Sequence, residues 1–145
     1  MTLPKIQIKV TLTPGEKIKI SNSTDAHNIL SKLFSEDTLA WTEEVILLAV
    51  NKANEVYGWY RLSQGGTTGT VLDPKVVFSI LLNAGASGFI VSHNHPSGSL
   101  KPSQQDINIT KKLFNAGDFL DITLLDHIII TPNGSYLSMA DEKLF

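Results

Sequence analysis

The amino-acid sequence predicts an α/β (α+β) domain with a central mixed β-sheet flanked by helices. Three observations predict it. Apolar strand-like runs and amphipathic helical stretches are interleaved along the chain, no internal repeat or low-complexity tract breaks them, and 145 residues with 42% hydrophobic content suffice for one buried core but not two.

Taken in order, Ile6, Ile8, Val10 and Leu12 alternate with polar residues ahead of Pro14-Gly15, and Ile18 and Ile20 follow. This period-2 pattern predicts a peripheral hairpin over residues 5–20. Ser23 or Thr24 then caps a helix that carries Ile29, Leu30, Leu33 and Phe34 at helical spacing. Residues 1–42 therefore read as a peripheral hairpin and helix, and residues 43–145 as the main domain.

A nearly unbroken apolar run over residues 43–50 and a second over residues 56–62 predict a long hairpin with a buried first strand. Residues 64–70 are rich in glycine but lack the Gly-Lys-Ser/Thr ending of a phosphate loop, so they read as a turn. Asp73-Pro74 is a helix cap followed by proline at the first helical position; Val76, Val77, Ile80, Leu81 and Ala84 form one apolar face, ending near Gly85. Residues 88–92 are a short apolar strand that runs straight into His93-Asn94-His95. A loop from Pro96 to Pro102 leads to Ser103, which opens a helix faced by Ile107, Ile109, Leu113 and Phe114 and closed by Gly117. Residues 119–131 predict a strand, Pro132-Asn133-Gly134 a tight turn, and residues 136–138 a returning strand.

Composition excludes several classes of function. A formal charge of −2 provides no overall basic footprint for wrapping nucleic acid. The absence of cysteine removes disulfides, Cys-ligated zinc and thiol catalysis, and suits a reducing cytoplasm, the expected location. Charges interrupt the apolar residues of the N-terminus, so no signal peptide is expected, and no window approaches the roughly 18 consecutive apolar residues of a membrane span.

The chemistry concentrates at the end of the strand over residues 88–92. Side chains at i and i+2 of a strand share a face, with Cα atoms roughly 6.5 to 7 Å apart, so His93 and His95 can converge on one ion. Asp106 stands in the first turn of the next helix, where the helix dipole favours the carboxylate form that binds cations. Three N/O ligands leave one tetrahedral position for water, the mark of a catalytic zinc site. Structural readings stand beside these: Ser103 with Asp106 is also a helix N-cap with an acidic third residue, and a lone His-x-His commonly has no metal.

His93-x-His95, seven residues, Ser103, two residues and Asp106 resemble, without a gap, the His-x-His-x7-Ser-x2-Asp signature of the JAMM (MPN) metalloprotease family. The string from His93 to Asp106 is similar to the RadC-like branch in particular, with further likeness in Gly69-Thr-Val, Leu125-Asp126-His127 and the terminal hairpin. The resemblance implies an MPN or cytidine-deaminase-like fold over residues 43–145, with one Zn2+ held by His93, His95 and Asp106. It further implies a glutamate at the start of the first core strand that handles the proton of the zinc water. Glu43 and Glu44 both stand there and must face opposite sides; counting back from Asn51-Lys-Ala-Asn54 selects Glu43. Ser103 would help hold the oxyanion. The implied activity is cleavage of an amide bond in a protein or peptide substrate, as a peptidase or isopeptidase.

Two other functions remain in view: a DNA-repair or recombination accessory, and a metal-containing binding module without turnover. RadC-like relatives carry a helix-hairpin-helix DNA-binding region ahead of this domain, whereas the 42 residues before Glu43 are patterned differently. The cysteine ligands of deaminases are absent. His127 has two readings, a hydrogen-bonded core residue or a group that orients the site. His27 reads as solvated, and Trp41, Trp59 and Tyr60 as packing residues. Oligomeric state is not encoded in any pattern found.

Overall fold

Strands that are apolar along their whole length must be covered on both faces, and the centre of the molecule follows from this. The computed structural model describes residues 1–64 and 72–145. Every residue of β2 (Glu44–Val50) is buried, and β2 pairs antiparallel with β3 (Glu55–Gln64) on one side and β4 (Gly88–Asn94) on the other. β4 runs parallel to β5 (Thr123–Ile130), an arrangement that requires a crossover, supplied by helix α3 (Gln104–Phe119). Short strands finish the edges: β1 (Ile18–Lys19) on β3 and β6 (Tyr136–Ser138) on β5. The order across this mixed, six-stranded sheet is β1-β3-β2-β4-β5-β6.

Strand alternation sorts the core into two layers. Val45, Leu47, Ala49, Phe89 and Val91 pack with Val77 and Leu81 of α2 (Pro74–Ala84) and Leu113 of α3. Ile46, Leu48, Val50, Ile90 and Ile128 pack on the opposite face with Ala26 and Leu30 of α1 (Ser23–Leu33). Fully burying a side chain such as Leu30 or Leu81 contributes about 1.5–3 kcal/mol each. The predicted α+β domain with a helix-flanked mixed sheet is the observed fold.

Several local expectations are corrected. Residues 5–17 form no strand and are exposed, so the predicted hairpin over residues 5–20 does not exist. Ile18 pairs with Val56 instead, and Ile20, buried against the core, donates its N–H to the Asn54 carbonyl. The physical reason is that an isolated hairpin with neither face covered is marginal in water, whereas the edge of β3 offers free backbone partners. Helix α1 is capped by Asn22, whose side chain accepts from the Asp25 N–H, rather than by Ser23 or Thr24. Gly117 lies inside α3 rather than closing it; the position selects glycine because a Cβ there would stand 2.3 Å from the Ile122 carbonyl oxygen. Phe119 ends α3 and is exposed; the strand predicted to begin there begins at Thr123. The glycine-rich turn over residues 65–70 and Gly69-Thr-Val lie outside the described residues. No described helix is long and apolar enough to cross a membrane.

Candidate metal centre

On β4 the odd-numbered side chains face the α2 and α3 layer, which carries His93 to the start of α3. The strand pairing continues one step further, His95 N–H donating to the Ile130 carbonyl at 2.9 Å. Beyond it the chain turns sharply: Gly98 N–H donates to the His95 carbonyl, and Gly98 takes φ +83°, a left-handed conformation that glycine adopts without penalty. The turn brings the Ser99 carbonyl back to His95 Nδ1 at 2.7 Å.

Ser103 is the N-cap of α3, its Oγ accepting from Asp106 N–H at 3.0 Å while Asp106 Oδ2 accepts from Ser103 N–H at 2.8 Å. The capping box therefore forms. The same carboxylate also faces the imidazoles, Oδ1 at 3.5 Å from His93 Nε2 and Oδ2 at 3.5 Å from His95 Nε2. Capping and metal-site geometry are not alternatives for Asp106, because a carboxylate has acceptor positions enough for both.

Hydrogen-bond partners decide which ring nitrogens carry protons. The Ser99 carbonyl can only accept, so His95 carries a proton on Nδ1, and Nε2 is the nitrogen left to coordinate. His93 Nδ1 lies 2.7 Å from Nε2 of His127, and His93 Nε2 lies 2.9 Å from Nε2 of His95. Two ring nitrogens and a carboxylate thus converge within 4.8 Å of one another, one nitrogen contributed by each histidine. Lone pairs brought this close repel unless a proton or cation sits between them, and a donor set of two imidazoles and one carboxylate suits a divalent ion. His93, His95 and Asp106 can hold a metal ion.

The electrostatics agree. Burial alone would raise the Asp106 carboxyl, but the two imidazoles outweigh it and hold Asp106 well below the usual carboxylate range. The hydrogen bond to Asp106 raises His95 above its ordinary value against the effect of burial, with Ser99, Asp106 and Glu43 charges or dipoles adding to the rise. Complete burial lowers His127 far below its ordinary value, so its imidazole is neutral.

Glu43 immediately precedes β2 and, with Trp41, His95, Pro96, Ser97, Ser99 and Lys101, lines an open cleft of about 540 Å³ that His95 shares with the His93–His95–Asp106 cluster. Glu44 faces the other way. Buried on the α1 side, its carboxylate accepts from Arg61 Nη1 and from Thr38 Oγ at 2.7 Å. Arg61 is tied in turn to the Leu33 carbonyl at 3.0 Å. Of the two adjacent glutamates, Glu43 lines the cleft with His95 and Glu44 is engaged by Arg61 and Thr38.

A family model described as the RadC-like JAB domain matches residues 20–144. The chain belongs to the RadC-like JAB domain family. It is 45% identical over 127 residues to a UPF0758 protein of Flavobacterium johnsoniae, covering 88% of this chain and 54% of that protein. A UPF0758 protein of Gloeothece citriformis is 37% identical over 130 residues, covering 88% of this chain and 51% of its own length. One from Alkaliphilus oremlandii is 33% identical over 144 residues, covering 95% and 62%. The RadC-like chain thus spans half to three-fifths of the length of these curated relatives.

Sequence reasoning overlooked Asn94. Its fully buried amide donates to the Leu39 and Thr42 carbonyls at 2.8 Å each and accepts from the Glu44 N–H at 2.7 Å, anchoring the segment that carries Glu43 to the end of β4. The signal available was its place between His93 and His95, where alternation turns it to the opposite face. His27, expected to be solvated, instead stacks on Tyr136 with ring centroids 4.3 Å apart and a buried Nε2. Trp41 is not packed but 78% exposed on the rim of the cleft; Trp59 and Tyr60 are half-exposed on β3.

Proposed function

We propose that this chain is a zinc-dependent hydrolase that cleaves an amide bond in a protein or peptide substrate, as a peptidase or isopeptidase. The observation that carries the reading is the convergence of His93, His95 and Asp106 beside a cleft with Glu43 on its lip. Three protein ligands leave a fourth position open, which distinguishes a catalytic zinc site from a closed structural one. A zinc ion held there supplies Lewis acidity, drawing the pKa of water toward about 7 and polarising a carbonyl.

The chain's own groups account for the rest. Glu43 takes the proton of the attacking water and returns it to the departing amine as the C–N bond breaks. Ser103 Oγ accepts from Asp106 N–H, which leaves its hydroxyl proton to donate to the oxyanion. The open cleft, with the Trp41 indole and Lys101 at its rim, suits an extended peptide more than a small enclosed ligand. A chain without cysteine is compatible with a cytoplasmic setting.

Metal analysis of the purified protein should find one zinc per chain, lost in the His93→Ala/His95→Ala double variant. Glu43→Gln should keep zinc, lose roughly 10²–10⁴-fold in turnover, and trap protein substrates for identification by mass spectrometry. Undiminished turnover in Glu43→Gln, or a protein that takes up no divalent ion at neutral pH, overturns the reading. Salt-sensitive DNA binding unaffected by Glu43→Gln would instead favour the accessory role.

A further inference from the structure

A histidine buried in an apolar layer is costly unless both ring nitrogens are partnered. His127 is fully buried, on a strand whose next three residues are Ile128, Ile129 and Ile130, where another aliphatic side chain would pack without that cost. Its partners are therefore informative. His127 Nε2 meets His93 Nδ1 at 2.7 Å, and His127 Nδ1 meets Thr110 Oγ at 2.6 Å. Thr110, also fully buried, donates its hydroxyl to the Asp106 carbonyl at 2.5 Å; the only other contact of that oxygen, to Met139 Sδ at 3.7 Å among the described residues, involves a far weaker acceptor.

The direction of the chain follows from its end. A carbonyl oxygen only accepts, so the Thr110 proton points to Asp106 and its lone pair faces His127. His127 then carries its proton on Nδ1 and offers Nε2 as an acceptor. His93 must fill that acceptor from Nδ1, which leaves Nε2 unprotonated toward His95 and Asp106. If the two His127 contacts ran the other way, a neutral His93 would carry its proton on Nε2, where it would block coordination. Thr110 also sits one helical turn after Asp106, so one hydroxyl couples the backbone of one ligand to the ring of another.

We propose that Thr110 and His127 are positioning residues of the metal centre, holding His93 in the Nδ1–H tautomer so that its Nε2 is available as a ligand. This rests on the reading that His93, His95 and Asp106 bind zinc. Groups of this kind set metal affinity through ligand orientation and basicity, typically by about 10- to 100-fold.

The test is zinc affinity, measured by competition with a chromophoric chelator at neutral pH and independent of any substrate. Thr110→Val and His127→Phe should each bind zinc about 10- to 100-fold more weakly than wild type, and Thr110→Ser, which restores the hydroxyl, should bind within about threefold. Melting of the metal-free proteins separates this from general destabilisation: a lowered melting temperature with unchanged zinc affinity would mean a structural role and overturn the proposal. Long-range ¹H–¹⁵N NMR of the zinc-loaded wild type supplies a second test that needs no variant. It should find His127 protonated on Nδ1, and a proton on Nε2 overturns the proposal. If wild type binds zinc and Thr110→Val binds it equally, only this inference falls; if wild type binds no zinc, the hydrolase reading falls with it.

Discussion

Replacing Asn94 by alanine removes the side chain that fastens the Glu43 segment to β4, and its consequences can be worked from three contacts. The amide of Asn94 holds the Leu39 carbonyl, the Thr42 carbonyl and the Glu44 N–H, and the side chain is fully buried. At about 1 kcal/mol net per hydrogen bond, the loss is about 3 kcal/mol. In urea unfolding of the metal-free protein this should appear as a lowered midpoint at unchanged slope. Two of the three anchors, Thr42 and Glu44, flank Glu43 directly, so turnover should fall by tenfold or more (~10-fold at least) through misplacement of the carboxylate. Zinc affinity should stay within about threefold, because the rings of His93 and His95 keep their partners at His127 and Ser99. Asn94→Asp keeps the acceptor for Glu44 N–H but sets a carboxylate against two carbonyls, so it should not rescue. A variant within about 0.5 kcal/mol of wild type and fully active would refute the anchoring argument. Loss of zinc on the scale of His93→Ala would refute the separation of Glu43 placement from metal binding.

Three further outcomes follow from the same structure. Gly117→Ala should destabilise by about 1–3 kcal/mol in denaturant unfolding despite alanine's better helix propensity, because its Cβ would meet the Ile122 carbonyl; a gain in stability would show that the α3–β5 junction relaxes freely. Glu44→Gln should cost about 1.5–3 kcal/mol by weakening the contacts to Arg61 and Thr38 while leaving zinc content unchanged, the reverse of what a ligand or proton-shuttling role at Glu44 would produce. In the metal-free protein the stability contributed by His95, whose folded value is raised, is complete below about pH 6.5 and is lost as pH rises through that raised value. Asp106, whose folded value is depressed, contributes stability above about pH 3.9 that is lost only as pH falls through the depressed value. On the proposed zinc reading the ion must displace the His95 proton, so zinc affinity should begin to weaken on acidification from above pH 6.5, which chelator competition across pH 5–8 reads.

Legibility in the sequence tracked the range of the interactions concerned. Residues 44–50 announced a central strand because seven consecutive buried positions demand an apolar run. Asp73-Pro74 and Ser103 with Asp106 announced helix starts because caps are satisfied within a few residues. The alternation of Ile6, Ile8, Val10 and Leu12 misled, since period alone does not say whether a partner strand exists to pair with. Gly117 misled for a related reason: close approach of Ile122 and a helix end both select glycine.

The spacing of His93, His95 and Asp106 was contained in the linear order, because two strand positions on one face and the first turn of the following helix converge wherever that strand, loop and helix form. Adjacent glutamates could be assigned to opposite faces by alternation, but only the packed sheet places Arg61 and Thr38 beside Glu44 and leaves Glu43 beside His95. Likewise the tautomer of His93 depends on His127 and Thr110, which lie 34 and 17 positions away in sequence. Side-chain direction is a local property of the backbone, whereas the partner a buried polar atom meets is determined by what the rest of the chain brings to it.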